Sequence, residues 1–197
     1  MAHLSYIKII KDKNLLRLGI TEGEECSAYT VTERAYADAG KPRRGDEIDG
    51  ETLELIKGYD GYIRAKRKAL SLLAYADNSE RALVMKLCRA GFSREISAEV
   101  GREMVSLGYI NEERQLERLI LAEANVKLIG PEKILPRLCS KGYSVSEARR
   151  AMSRLVESGE IDFKANAREL VRRRLGDGCD PESRRALLYK NGYKIRE

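Results

Sequence analysis

The chain has 197 residues, 43% hydrophobic, 35% charged and 6% aromatic, with no Trp and a net charge of +6. That suffices for a core in one or two domains, and the balance favours helices with charged outer faces over a β-sandwich. No apolar run approaches the roughly 20 residues that cross a bilayer, and the charge-broken start "MAHLSYIKIIKDKN" lacks the form of a signal peptide, so a cytosolic protein without membrane contact is expected.

Residues 1–61 read as a small β-rich module. "YIKIIKDKNLLRLGI" has two apolar runs around a Lys-Asp-Lys-Asn turn at 11–14, the pattern of a β-hairpin. "CSAYTV" supplies a third strand. A short helix from Thr32 to Ala39 stops at Gly40, and the basic loop "KPRRGDE" leads to a second short helix, Gly50 to Lys57.

From Tyr62 the pattern turns helical. "YIRAKRKALSLLAYAD" places Ile63, Leu70, Leu73 and Ala74 on one face and Arg64, Lys66, Arg67 and Lys68 opposite. Asn78 or Ser79 caps a helix with Leu83, Leu87 and Cys88 inward, ended by Gly91. Ser93 caps the next, with Ile96, Val100, Met104 and Leu107 inward, ended by Gly108. The order then returns. Asn111 caps a long helix to about Leu128, Gly130-Pro131 opens another that Gly142 stops, and Ser144 with Glu147 forms a capping box. That last helix turns Ala148, Ala151, Met152 and Leu155 inward and ends near Gly159. A long helix from Asp162 to about Leu175 and one from Asp180-Pro181 to Gly192 complete the chain.

The offsets define a repeat. Gly91 to Gly142, Gly108 to Gly159 and Cys88 to Cys139 are each 51 positions, and Gly142 to Gly192 is 50. The expected fold is mainly α: tandem three-helix repeats in an elongated stack, at 62–110, 111–161 and, shortened to two helices, 162–197, behind the β-rich module. Gly91, Gly108, Gly142 and Gly192 are each followed by a large aromatic residue, Phe92, Tyr109, Tyr143 or Tyr193, placed to pack back over the helix just finished.

Little in the sequence points to catalysis. His3 is the sole histidine and stands away from any ligand cluster, and no phosphate-cradling glycine loop occurs. Cys26, Cys88, Cys139 and Cys179 lack CxxC spacing; Cys88, Cys139 and Cys26 are expected in the core, Cys179 in a loop, and no disulfide is expected. Glu99, Glu103, Glu112 and Glu113 read as helix-start and surface carboxylates. A non-enzymatic protein without cofactor or metal follows, and a monomer, since no large apolar face is apparent.

Charge is concentrated at the end. From Lys164 to Glu197 there are ten basic and five acidic residues, against 27 and 26 before them. Arg168, Arg172, Arg173, Arg174, Arg184 and Arg185 form the strongest candidate surface for a nucleic acid or nucleoprotein filament, although three successive arginines fan over roughly 200° of a helix and cannot all face one ligand. Arg64, Lys66, Arg67 and Lys68 come second, and Lys41, Arg43 and Arg44 third. Solvated helix faces account for most such runs.

The ordered elements resemble the RecX family of recombination regulators. The resemblance runs through "IKIIKDKNLLRL", "AYTVTERAYADAGKPRRGDEID", "ALSLLAYADNSERALVMKLCRAGF", "LGYINEERQ", "IGPEKILPRLCSKGY" and "RRALLYKNGY", nearly the whole chain. Asn111 stands where the family usually has aspartate, Gln115-Leu116 replaces a common phenylalanine-alanine pair, and "NVKLIGPEKI" lacks a usual arginine. The resemblance implies a regulator of DNA repair and the SOS response. Such a protein lies in the groove of the RecA–single-stranded-DNA filament, contacts the DNA directly or through the recombinase, and limits filament growth, ATP turnover and strand exchange.

Two other readings compete. "SVSEARRAMSRLVESGEI" resembles a helix-turn-helix, which would make the protein a DNA-binding transcription regulator, but a β-wing should then follow Gly159, where another helix is expected. A generic helical-repeat scaffold is the third.

Overall fold

The structure, a computed structural model, describes residues 1–10 and 14–194. Most of the expected Lys-Asp-Lys-Asn turn, 11–13, lies outside the described residues. On either side of it β1 (Ala2–Ile10) and β2 (Leu15–Glu22) pair antiparallel, and β3 (Glu25–Thr32) adds to β2. A fourth strand, β4 (Glu47–Ile48), pairs with Ala2 and His3 and completes the order β3-β2-β1-β4. Too short to show alternation, it is held by hydrogen bonds from Leu4 N–H to the Asp46 carbonyl and from Gly45 N–H to the Leu4 carbonyl.

Alternation in β2 turns Leu16, Leu18 and Ile20 to one face, where they join Leu4, Val31, Ala35 of α1 (Glu33–Asp38), and Leu53 and Ile56 of α2. The two helical segments expected from Gly50 and from Tyr62 are one 26-residue helix, α2 (Gly50–Tyr75). Packing explains the continuity. Asp60 accepts the Thr30 N–H at 2.8 Å, and a Cβ on Gly61 would meet Ile96 Cδ1 at 3.0 Å, so this glycine serves close approach and not a break.

Residues 1–75 with 83–103 make one compact unit, and 76–82 with 104–197 another. The remaining helices are α3 (Glu80–Arg89), α4 (Arg94–Ser106), α5 (Glu112–Leu121), α6 (Pro131–Ser140), α7 (Val145–Glu157), α8 (Phe163–Leu175) and α9 (Pro181–Lys190). The helix expected to run from Asn111 to Leu128 widens after α5 into a π-helical turn, Ala122–Val126. Ser79, Ser93, Asn111, Ser144, Asp162 and Asp180 each accept a first-turn N–H as caps. Among the described residues no helix is long and apolar enough to cross a membrane.

Burial repeats with the 51-residue offset. Leu83 and Ile134, Leu87 and Leu138, Val100 and Ala151, Met104 and Leu155, and Ile110 and Ile161 are buried pairs at that spacing. Several expected core residues fall elsewhere. Cys88 is exposed and Cys139 only half-buried, because each follows the buried leucine by one residue and so points about 100° away. Cys26 is exposed on β3; Cys179 lies in the α8–α9 loop, half-buried. Along the second half of α2 the fully buried positions are Ala65 and Ala69, aligned with Leu116 and Ile120 of α5, whereas Ile63, Leu70 and Leu73 are half-buried and Ala74 is exposed. Leu107 and Tyr109 are exposed, and Ile110, at 3% exposure, takes the inward place expected for Tyr109. Its N–H reaches back to the Met104 carbonyl, as that of Ile161 does to Leu155.

Two glycine turns join successive copies inside the second unit. Ser79 Oγ donates to the Lys141 carbonyl at 2.9 Å, so the turn ending α6 sits against the start of α3. In the same relation, the Gly130 N–H donates to the Asn191 carbonyl at 2.8 Å and that of Glu132 to Gly192 at 3.2 Å. Gly142 has φ +96°, and a Cβ there would lie 2.5 Å from Ser79 Oγ; on Gly192 it would lie 2.8 Å from the Lys133 backbone nitrogen. The following tyrosines are buried. Tyr143 donates to Gln115 Oε1 at 2.7 Å and Tyr193 to the Leu128 carbonyl at 3.0 Å, and burial pushes both phenols up to about 12.

Gly142→Ala is therefore expected to cost about 2–4 kcal/mol, adding overpacking to backbone strain. Gly159→Ala, also at positive φ but with open space beside it, should cost about 1–2 kcal/mol. Urea unfolding followed by circular dichroism distinguishes them, and equal losses would show that the docked turn contributes nothing. Ser97 is buried and its hydroxyl has no partner among the described residues, while Ala148 fills the place 51 residues on. Ser97→Ala should raise stability by about 1 kcal/mol in the same assay.

Candidate nucleic-acid interface

The C-terminal arginines divide by helix geometry. Arg168 and Arg172, one turn apart on α8, line a cleft of about 650 Å³ with Arg184 of α9, together with Glu169 and Asp177. Arg173, Arg174 and Arg185 do not line it, in keeping with the 100° step between neighbours.

Pairing divides them again. Arg172 donates from Nε and Nη2 to the two oxygens of Glu169, each at 2.7 Å, and Arg173 Nε reaches the same carboxylate at 2.6 Å. These two guanidinium groups drive the Glu169 carboxyl down to about 2, so it is ionised at any ordinary pH. Arg168, Arg174, Arg184 and Arg185 are exposed and make no ion pair among the described residues. Glu169 was not among the candidates, yet its i+3 and i+4 spacing to Arg172 and Arg173 is visible in the sequence.

The basic residues of α2 separate likewise. Arg64 pairs with Asp60 at 3.5 Å and lies 6.0 Å from the centroid of the Phe92 ring. Lys66 donates to Glu103 at 2.6 Å, and the Tyr62 hydroxyl donates to the other oxygen at 2.5 Å. Burial pushes the Glu103 carboxyl up, but these two hydrogen bonds more than offset it and hold it below the usual range. The Tyr62 phenol moves up, through burial and then through Glu103. Lys66 and Arg67 line an apolar groove of about 810 Å³ with Leu55, Tyr59, Tyr62 and Ile63. Tyr59 falls in the gap expected between the helices ending at Lys57 and starting at Tyr62, and the continuous α2 places it beside Tyr62 in the groove. Lys68 is exposed away from the groove, and Lys41, Arg43 and Arg44 are exposed in their loop.

The acidic residues have structural partners. Glu112 Oε1 accepts the Glu80 N–H at 2.7 Å, capping α3 from α5, and burial raises its carboxyl pKa. Glu113 accepts from Arg154 at 2.7 Å. After Gly159 the chain enters α8, where the helix-turn-helix reading needs a β-wing.

No family model matches the chain. It is 31% identical over 132 residues to the Regulatory protein RecX of Clostridioides difficile, covering 67% of this chain and 60% of that one. The protein of the same name from Stenotrophomonas maltophilia (strain K279a) is 31% identical over 111 residues, 56% of this chain and 65% of that one. That from Streptococcus uberis is 24% identical over 184 residues, 93% of this chain and 69% of that one. The chain thus spans less than two thirds of the first two relatives it matches. A solved structure described as a crystal structure of regulatory protein RecX shares the fold, with a TM-score of 0.71 over 98% of this chain and 95% of that one, at 19% identity.

Glu169→Gln should release Arg172 and Arg173 to an anionic ligand. The variant is expected to elute later from heparin than the parent. Its log affinity for single-stranded DNA should fall more steeply with log salt, by about 0.7–1.4, one or two phosphates' worth. An unchanged elution and slope would show that both arginines already contact the ligand or never do.

Proposed function

The chain belongs to the RecX family, and from that premise we propose that it is a non-enzymatic regulator that binds the RecA–single-stranded-DNA filament and restrains filament extension, ATP hydrolysis and strand exchange. The observation that carries the reading in this chain is the pair Arg168 and Arg184. They are unneutralised guanidinium groups from successive helices, lining one cleft. Long-range electrostatics of that kind favours a polyanionic partner without asking for base readout. We take 62–110, 111–161 and 162–197 as the repeats that present this surface, behind the module 1–61.

The residues assigned to filament or DNA contact fall into two ranks. Arg168, Arg174, Arg184 and Arg185 are available outright, as are Arg67 and Lys68 of α2. Arg172, Arg173, Arg64 and Lys66 must first leave a carboxylate. No cofactor, metal or membrane enters the reading, and the monomer is the proposed active form. The transcription-regulator alternative is disfavoured by α8, which occupies the place of a wing.

The test is the single-stranded-DNA-dependent ATPase of RecA with this protein at substoichiometric amounts. The parent should inhibit, and Arg168→Ala with Arg184→Ala should raise the half-inhibiting concentration about tenfold, equivalent to 1.4 kcal/mol. Failure to inhibit, with tight sequence-specific duplex binding instead, would overturn the proposal in favour of a transcription regulator.

A further inference from the structure

The outer edge of β1 is only partly covered. β4 reaches only Ala2 and His3, and the hydrogen bonds at Leu4 are the last on that side, so among the described residues no strand pairs with the outer edge from Tyr6 to Ile10. β2 covers the other edge throughout. Opposed residues of antiparallel strands share a face, which makes each row of the sheet readable outward.

The three central rows that end at the open edge carry Ile7, Lys8 and Ile9. Tyr29, Leu18 and Ile7 form one, and Val31, Leu16 and Ile9 another. Both lie on the face that carries the core, where Val31 and Leu18 are fully buried and Leu16 nearly so. Their outermost members are nevertheless 38% exposed at Ile7 and 68% at Ile9. Between them, on the opposite face, runs Thr30, Arg17 and Lys8. Lys8 and Arg17 are directly opposed like charges, both exposed, and neither makes an ion pair among the described residues. Such a pair is destabilising as it stands.

We propose that this edge is a docking site for an extended segment of another protein. The segment adds as a further strand and carries an apolar, an acidic and an apolar residue in succession. The apolar residues cover Ile7 and Ile9, and the carboxylate sits opposite Lys8, where it relieves the Lys8–Arg17 repulsion. Main-chain hydrogen bonds along the edge supply affinity and the three side chains supply selection. A second copy of this chain fits poorly. The antiparallel register that lays Ile7 and Ile9 of one copy on Ile9 and Ile7 of the other sets Lys8 directly against Lys8. The bulge between Leu4 and Tyr6, together with Lys8, is also a common device against indiscriminate edge pairing, so what is admitted must answer the charge. The site is independent of the arginine cleft.

The test is a titration of the full-length, ¹⁵N-labelled protein with the blocked pentapeptide Thr-Val-Glu-Val-Thr and with its counterpart bearing Lys in place of Glu. The glutamate peptide should shift the amide signals of Tyr6 to Ile10 saturably and bind about tenfold tighter than the lysine peptide. Lys8→Glu should reverse that preference. Ile9→Lys, at an exposed position, should abolish binding while leaving thermal unfolding unchanged. Equal binding of the two peptides, shifts outside β1, no saturable shift, or a concentration-dependent dimer that Lys8→Glu disrupts would each overturn the proposal.

Discussion

A helix ends, the glycine two residues on turns left-handed, and the carbonyls of that turn bond the opening of a helix about sixty residues earlier. This contact occurs twice in the second unit, at Gly142 against Ser79 to Ala82 and at Gly192 against Gly130 to Lys133. At Gly192 the orphan N–H groups of a helix start and the spare carbonyls of a helix end satisfy each other, and at Gly142 the Ser79 hydroxyl is the donor in place of an N–H. The contact is so close that neither turn has room for a Cβ. Two requirements, positive φ and zero side-chain volume, thus fall on one residue.

Much of the second unit follows from that constraint. Within the second unit the turn after α6 is fixed against Ser79 to Ala82 and the turn after α9 against the start of α6. Burial recurs at the 51-residue offset between α3 and α6 and between α4 and α7. The tyrosine after each docked glycine is drawn inward, and its hydroxyl finds an acceptor, Gln115 or the Leu128 carbonyl, so the phenol is buried without an orphaned polar group. Gly91 stands at the same place in the first copy, with open space where the other two meet a helix, and Phe92 after it carries no hydroxyl to satisfy.

The repeat was legible in the sequence because caps and stops are local chemistry. Ser93 and Ser144, Asn111 and Asp162, and the glycines act through their own backbone neighbours, whatever the rest of the chain does. Features that depend on a distant partner were not. Ala65 and Ala69 are buried in preference to Ile63 and Leu70, the reverse of their hydropathy order. Gly61 reads as a break and is a contact with Ile96. Cys88 and Cys139 marked the period while lying one residue off the buried position. For the candidate surface, the arginines were visible but their neutralisation was only half so: Glu169 was readable by spacing, whereas Glu103 reaches Lys66 from another helix 37 residues away.

That neutralisation changes what a net charge of +6 means for binding. Of the thirteen basic residues considered for contact, Arg64, Lys66, Arg172 and Arg173 are held by carboxylates, so the charge offered to a ligand is smaller than the count. The commitments differ in strength. Lys66 is tied to a half-buried carboxylate that Tyr62 also holds, which favours keeping the bridge between α2 and α4. Arg172 and Arg173 are paired at the surface, where such bridges are worth about 0–1 kcal/mol. A phosphate entering the cleft beside Arg168 and Arg184 offers Arg172 an equivalent bidentate acceptor at little net cost. Under the proposed function, Glu169 would then compete with such a phosphate for Arg172 and Arg173.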